Sequence, residues 1–186
     1  EWKWIANDPW DGVEFPQEDP PRHQRWEWRQ IAQILRYLGY RHGRTPETKS
    51  QEVALAFMIA LRTSLRAGEI LKVQPSAIRR NVLTLKDTKT ERHAQIPLTR
   101  RGAALCGLVR SWSIDSASLD ALFRKAKTAC LITDMHFHDS RGTALTLLAR
   151  KVDVLTLSRI SRHKDLKMLS AVYYRESAEE IARRLK

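Results

Sequence analysis

Cysteine is almost missing from this chain. Only Cys106 and Cys130 occur among 186 residues, without CxxC spacing and without paired histidines nearby, so neither a disulfide framework nor a zinc site is indicated and two reduced thiols are expected. Long apolar runs are absent as well: the longest, Val53 to Leu61, has nine residues, well short of the ~20 that a membrane helix needs. No basic-then-apolar signal segment opens the sequence, and the expectation is a cytoplasmic or nucleoid-associated protein with no membrane partner. Internal repeats and low-complexity tracts are lacking too, which leaves one ordinary folded domain plus a short appendage as the default at this length. Acidic side chains are in deficit. Against 33 Lys and Arg stand 21 Asp and Glu, a net charge of +12, and this favours a polyanion, nucleic acid first, over a neutral small substrate.

Residues 1–23 hold Trp2, Trp4 and Trp10 together with four of the seven prolines, a pattern of a helix end followed by an extended linker. Beyond it, Trp28, Ile31, Ile34, Leu35 and Leu38 recur at helical spacing from Trp26 to Leu38, and Gly39 stops the run. A second helix starts near Pro46-Glu47 and is apolar on every face from Val53 to Leu61, which places it at the centre of the core, with Arg66 following its end. From Ala77 to Leu98 the pattern turns extended around a polar turn at Lys86 to Arg92, and a small antiparallel sheet is expected. Helices are then expected near Thr99 to Trp112, Ser118 to Cys130, His138 to Lys151, Val154 to Ser161 and Leu166 to Arg175, with a last one from Ser177. The fold class is therefore mostly α with one small three-stranded antiparallel sheet.

Cutting a nucleic-acid strand by side-chain attack needs a nucleophile, fixed cations for the charge that builds on phosphorus, and an acid for the departing oxygen. Arginine suits the second task, because its planar guanidinium meets two phosphate oxygens at once and keeps its charge. Arg66 lies just past a buried helix with Glu69 three residues on, either as an oriented phosphate ligand or as a plain ion pair. His138 and Arg141 are three apart on one helical face and can reach one phosphate, with Asp139 between them to fix the helix start or a histidine tautomer. His136 lies on another face and is read as structural. Lys89 sits in the expected hairpin turn, where it is either a solvated lysine or an acid, with Lys86 as its rival. A tyrosine is able to serve as nucleophile, but its free pKa of about 10 demands a strongly positive setting or a base.

Taken in order, Thr63-Ser64-Leu65-Arg66-Ala67-Gly68-Glu69-Ile70, Thr88-Lys89 with Ile96-Pro97-Leu98, Phe137-His138-Asp139-Ser140-Arg141-Gly142, and His163 followed by Tyr173-Tyr174 resemble the tyrosine recombinases, the phage-integrase family. The resemblance covers most of residues 24–186 and implies the integrase catalytic-domain fold. It implies Arg66, Arg141, His138 and His163 as stabilisers of the transition state, Lys89 as the general acid and Tyr173 as the nucleophile. Two departures from the family pattern stand out. Ser161-Arg162-His163 replaces the usual Leu-Gly-His, and Tyr173 and Tyr174 lie ten and eleven residues after His163, whereas nine is usual. Tyr173 is chosen because a subgroup of integrases with a Tyr-Tyr pair uses the first; Tyr174 is then expected to pack inward.

What the resemblance implies is a site-specific DNA recombinase working through a 3′-phosphotyrosine intermediate without metal, nucleotide or other cofactor. Its partners would be double-stranded DNA attachment sites, three further copies in a homotetramer on synapsed DNA, and an accessory DNA-bending or directionality factor. Residues 1–23 would be the tail of a preceding DNA-clamping domain and its linker, and 24–186 the catalytic domain. The other readings are a type IB topoisomerase-like relaxing enzyme and a basic DNA-binding module without catalysis.

Overall fold

The computed structural model describes residues 24–86 and 93–174, together with Gly12, Glu179, Ala182 and Arg183. Lys89, most of residues 1–23 and most of the helix expected from Ser177 lie outside the described residues.

The first helix, α1 (Trp28–Tyr37), begins two residues later than the apolar spacing suggests, at a capping box between Glu27 and Gln30. Its inward stripe is Ile31 and Ile34, continued by Leu38, while Trp28 faces out beneath the Arg62 guanidinium at 5.2 Å. The buried tryptophan is Trp26 instead. It stands edge-on to Phe57 at 5.0 Å and to Phe123 at 5.7 Å, and its backbone N–H donates to Thr143 Oγ1 at 2.9 Å.

Helix α2 (Lys49–Thr63) is capped by Thr48, whose side chain accepts from the Gln51 N–H. Val53 to Leu61 are buried apart from the half-buried Met58, as an all-round apolar stretch requires. The chain leaves α2 through Ser64 in the left-handed conformation, φ 59°. That turn aims Arg66 into the N-cap position of a short helix, α3 (Ala67–Ile70).

A 3-10 turn at Pro75–Ala77 leads to three antiparallel strands, β1 (Ile78–Arg79), β2 (Val82–Lys86) and β3 (His93–Pro97), in the order β1-β2-β3. The register pairs Val82 with Pro97 and Lys86 with His93. Leu83, Leu85, Ala94 and Ile96 all turn to the core face, the period-two pattern of a half-buried sheet.

Five further helices follow among the described residues: α4 (Arg100–Gly107) capped by Thr99, α5 (Ser116–Ala129) by Asp115, α6 (Asp139–Ala149) without a side-chain cap, α7 (Val154–Ser161) capped by Asp153, and α8 (Leu166–Tyr173) by Asp165. Helix α4 stops five residues short of Trp112 because the following segment is drawn across α2, where Ser113 N donates to Glu52 Oε2 at 2.9 Å. Helix α2 packs against α4, α5 and α6 at the centre of the main core. A second, small core of Leu145, Leu157 and Leu169 ties α6, α7 and α8 together, with Tyr173 and Tyr174 at its edge. Cys106 is buried, which pushes its thiol up to about 12, and both cysteines are free. No described helix is long and apolar enough to cross a membrane.

Candidate active site

Arg141 is the hub. It enters from the first turn of α6, is 4% exposed, and donates through Nη1 to Ser64 O and through Nη2 to Ser161 O, the latter at 2.6 Å. One guanidinium thus satisfies carbonyls at the C-terminal ends of α2 and α7, groups that a helix leaves unpaired. Burial, and next the charge of Arg66, bring Arg141 down to about 10, so it stays cationic at neutral pH.

The start of α6 is set by Asp139, whose Oδ2 accepts from the His136 N–H at 2.6 Å. Asp139 therefore fixes the helix start, and its carboxylate also lies 3.7 Å from the exposed His136 ring. Lys127, buried on α5, donates to the carbonyls of Thr133 and Met135 and holds the segment that leads into His138. His138 itself is half-buried. Burial, followed by the charge of Arg141, holds its ring below the ordinary histidine range. An open cleft of about 590 Å³ runs past His138 and Arg141 between Leu65, Leu119 and Asp120.

Arg66 meets Glu69 twice, its backbone N–H donating to Oε2 at 2.9 Å and its Nη1 to Oε1 at 3.2 Å. The side chain of Arg66 remains 30% exposed, so the pair is oriented but open on one side. Arg162 meets the same carboxylate oxygen, its Nη2 at 2.5 Å from Glu69 Oε1. At the C-cap of α7 it takes φ 56°, a left-handed conformation that glycine enters most freely, at the position where arginine stands in place of the glycine of the family pattern. Next to it, His163 Nδ1 lies 2.8 Å from Ser161 Oγ. The serine hydroxyl also lies within 3.4 Å of Ser158 O, to which it donates, so the tautomer of His163 decides which partner donates in the Ser161 contact. Burial, and then the charges of Arg141, Arg66 and His138, take His163 down to about 4.

Tyr173 and Tyr174 are used differently. Tyr174 Oη donates to Val152 O at 2.6 Å, an anchoring bond within the small core. Tyr173, at the last turn of α8, is partly buried with its ring beneath the guanidinium of Arg25 at 5.3 Å. Burial raises its hydroxyl above the ordinary value, and the charges of Arg25 and Arg141 pull against that rise. Arg25 is held by its Nε–H to Thr146 Oγ1 at 2.7 Å and lies across Gly142, where a Cβ would come within 3.0 Å of Nη1.

Five of the six residues singled out by sequence, Arg66, His138, Arg141, His163 and Tyr173, thus come together through Arg141, whose charge acts on His138, His163 and Tyr173 and is acted on by Arg66. The sixth, Lys89, lies outside the described residues, and Lys86 is exposed at the end of β2. Sequence reasoning missed Arg25, which no motif marks, and saw in Arg162 only the loss of a glycine. Among the described residues no three His, Cys, Asp or Glu side chains gather as ligands for a metal ion.

No family model matches the chain. Two proteins of Haemophilus influenzae that carry the name integrase/recombinase are 34% and 30% identical to it over 97% and 94% of its length. A shufflon-specific DNA recombinase of Escherichia coli is 25% identical over 91%. The chain spans 62%, 51% and 44% of the length of these three relatives. Among solved structures, the catalytic domain of bacteriophage HP1 integrase is similar over 87% of this chain and 94% of its own, with a TM-score of 0.61 at 19% identity. The Tn1549 transposon integrase, solved in complex with transposon right-end DNA, is similar over 97% of this chain and 71% of its own, with a TM-score of 0.65 at 15% identity. At such identities the likeness lies in the fold, which is that of the tyrosine-recombinase catalytic domain.

Proposed function

We propose that this chain, which is similar to proteins named integrase/recombinase and shares the fold of an integrase catalytic domain, is the catalytic part of a tyrosine-type site-specific DNA recombinase that cuts and rejoins strands through a phosphotyrosine. The observation that carries the proposal is the buried Arg141, fixed on the carbonyls of Ser64 and Ser161, with Arg66, two neutral histidines and one tyrosine within reach of its charge. That set matches the needs of phosphoryl transfer. Arg66 and Arg141 supply fixed positive charge for the phosphorane, where preorganised charge in a partly buried site is worth most. His138 and His163, uncharged at neutral pH, donate hydrogen bonds to its oxygens without adding repulsion inside an already cationic cluster.

In the proposed step Tyr173 Oη gives its proton to water and bonds to phosphorus, and the bond from phosphorus to the 5′ oxygen breaks. Arg25 and Arg141 favour the phenolate that attacks. Lys89 gives its proton to the leaving 5′ oxygen, and the 3′ phosphotyrosine keeps the bond energy for a second strand's 5′ hydroxyl. A DNA duplex, a homotetramer on two paired sites, an accessory bending or directionality factor, and a DNA-clamping role for the region before residue 24 belong to the same proposal. The relatives named as integrases and recombinases favour it over a relaxing topoisomerase.

The test is capture of a covalent protein–DNA adduct under denaturing conditions from a pool of nicked duplexes randomised about the nick. Adduct from the wild type and none from Arg141→Ala supports the reading. Duplexes retained only non-covalently by both would leave a binding module.

A further inference from the structure

Arg162 occupies a costly position. Its backbone adopts φ 56°, a region that glycine enters freely and other residues enter under strain. Its side chain does not escape to water: it is 5% exposed, with Nη2 on Glu69 and with Nε and Nη1 sealed from solvent and without a hydrogen-bond partner. Strain, desolvation and two unpaired donors all oppose this arrangement. Stability gives no reason for it, so the reason must lie in what the guanidinium does to its neighbours.

Glu69 is 7% exposed and shares one oxygen, Oε1, between Arg66 at 3.2 Å and Arg162 at 2.5 Å. Burial would raise its carboxyl, but the hydrogen bonds from the Arg66 backbone N–H and from Arg162 hold it below the ordinary range, so it is ionised at neutral pH. A carboxylate that orients an arginine also cancels its charge. Without Arg162, Glu69 would leave Arg66 and Arg141 with one net charge between them. With Arg162, three guanidinium groups face one carboxylate, and two net charges remain. A phosphorane formed from a phosphodiester carries two negative charges.

We propose that Arg162 is a positioning and charge-balancing residue, which takes up Oε1 of Glu69 so that Glu69 orients Arg66 without neutralising it. Arg66 and Arg141 then meet a phosphate with both their charges. The inference rests on the phosphoryl-transfer reading above for its purpose, but its effect on anion binding is measurable without catalysis.

The experiment compares wild type, Arg162→Gly, Arg162→Lys, Glu69→Gln and the double variant Arg162→Gly/Glu69→Gln. Three quantities are read: the thermal midpoint, the affinity for inorganic sulfate followed through the His138 and His163 ring signals, and the rate of adduct formation on the nicked-duplex pool. Arg162→Gly is expected to keep or raise the midpoint while weakening sulfate and slowing adduct formation, each about tenfold or more. Arg162→Lys should recover part of both. The double variant should regain most of both, because removing the carboxylate restores the charge balance while the amide oxygen still accepts from Arg66; a merely structural arginine would show no such rescue. Wild-type sulfate affinity in Arg162→Gly, a fall in midpoint that accounts for the losses, or a double variant no better than Arg162→Gly overturns the proposal. If wild type binds sulfate but forms no adduct, the recombinase reading falls and the sulfate series alone decides the role of Arg162. If it binds neither, both fall.

Discussion

Two adjacent tyrosines on one helix end, Tyr173 and Tyr174, have hydroxyls in opposite situations. Tyr174 Oη is committed to the Val152 carbonyl at 2.6 Å, whereas Tyr173 lies under Arg25 and in the field of Arg141. Tyr173→Phe is therefore expected to abolish adduct while DNA binding persists, and Tyr174→Phe to keep adduct and lose about 1 kcal/mol of stability, the usual net worth of one hydrogen bond. Gel separation of adduct and a denaturant titration check both; an adduct that survives the first change and vanishes with the second reverses the roles. His163 makes a separate prediction at this scale. Its ring is held down to about 4 by burial and by Arg141, against about 6.5 for an unfolded histidine. Between those values the unfolded chain holds more protons, so stability is full above pH ~6.5 and declines as the pH falls toward ~4. His163→Asn should flatten part of the drop in thermal midpoint between pH 7 and pH 4.5. An unchanged slope would mean that the ring is not held neutral.

At the scale of elements, the two tryptophans near α1 are the sharpest test of packing. Trp26→Ala removes a ring wedged between Phe57 and Phe123 and should cost about 3–5 kcal/mol, while Trp28→Ala, at an exposed site, should cost less than about 1 kcal/mol. Sequence periodicity ranked them the other way round, because Trp28 fits the 3.6-residue stripe and Trp26 precedes the cap, where a side chain is placed by tertiary contacts alone. What was legible had a local cause: the all-apolar α2, the alternation across β2 and β3, and α7 bounded by Asp153 and a turn. The end of α4 was not legible, since it depends on Glu52 reaching across to Ser113. In the site, spacing identified His138 with Arg141 and paired Arg66 with Glu69, whereas Arg25 meets Tyr173 from a segment far away in sequence and leaves no local trace. The hairpin β2–β3 carries the remaining prediction of this scale. Lys89→Ala should slow cleavage of an ordinary phosphodiester far more than of one whose scissile 5′ oxygen is sulfur, because a thiolate leaves without a proton. Equal slowing on both substrates removes Lys89 as the acid and turns attention to Lys86.

For the whole molecule, the charge of +12 predicts that phosphate contacts would supply most of any DNA affinity, and these carry no sequence information by themselves. Binding of the 186-residue chain to duplex DNA should fall linearly in log affinity with log salt and differ little between unrelated sequences, as fluorescence anisotropy at several salt concentrations would report. On the proposed reading that charge would draw DNA to the molecule, but attack through one tyrosine is what separates an enzyme from a basic binder. Adduct trapped from nicked duplexes, digested and mapped by mass spectrometry, tests that claim most directly. The account predicts a single DNA-linked peptide with the phosphate on Tyr173; no linked peptide, or one linked through any other residue, contradicts it.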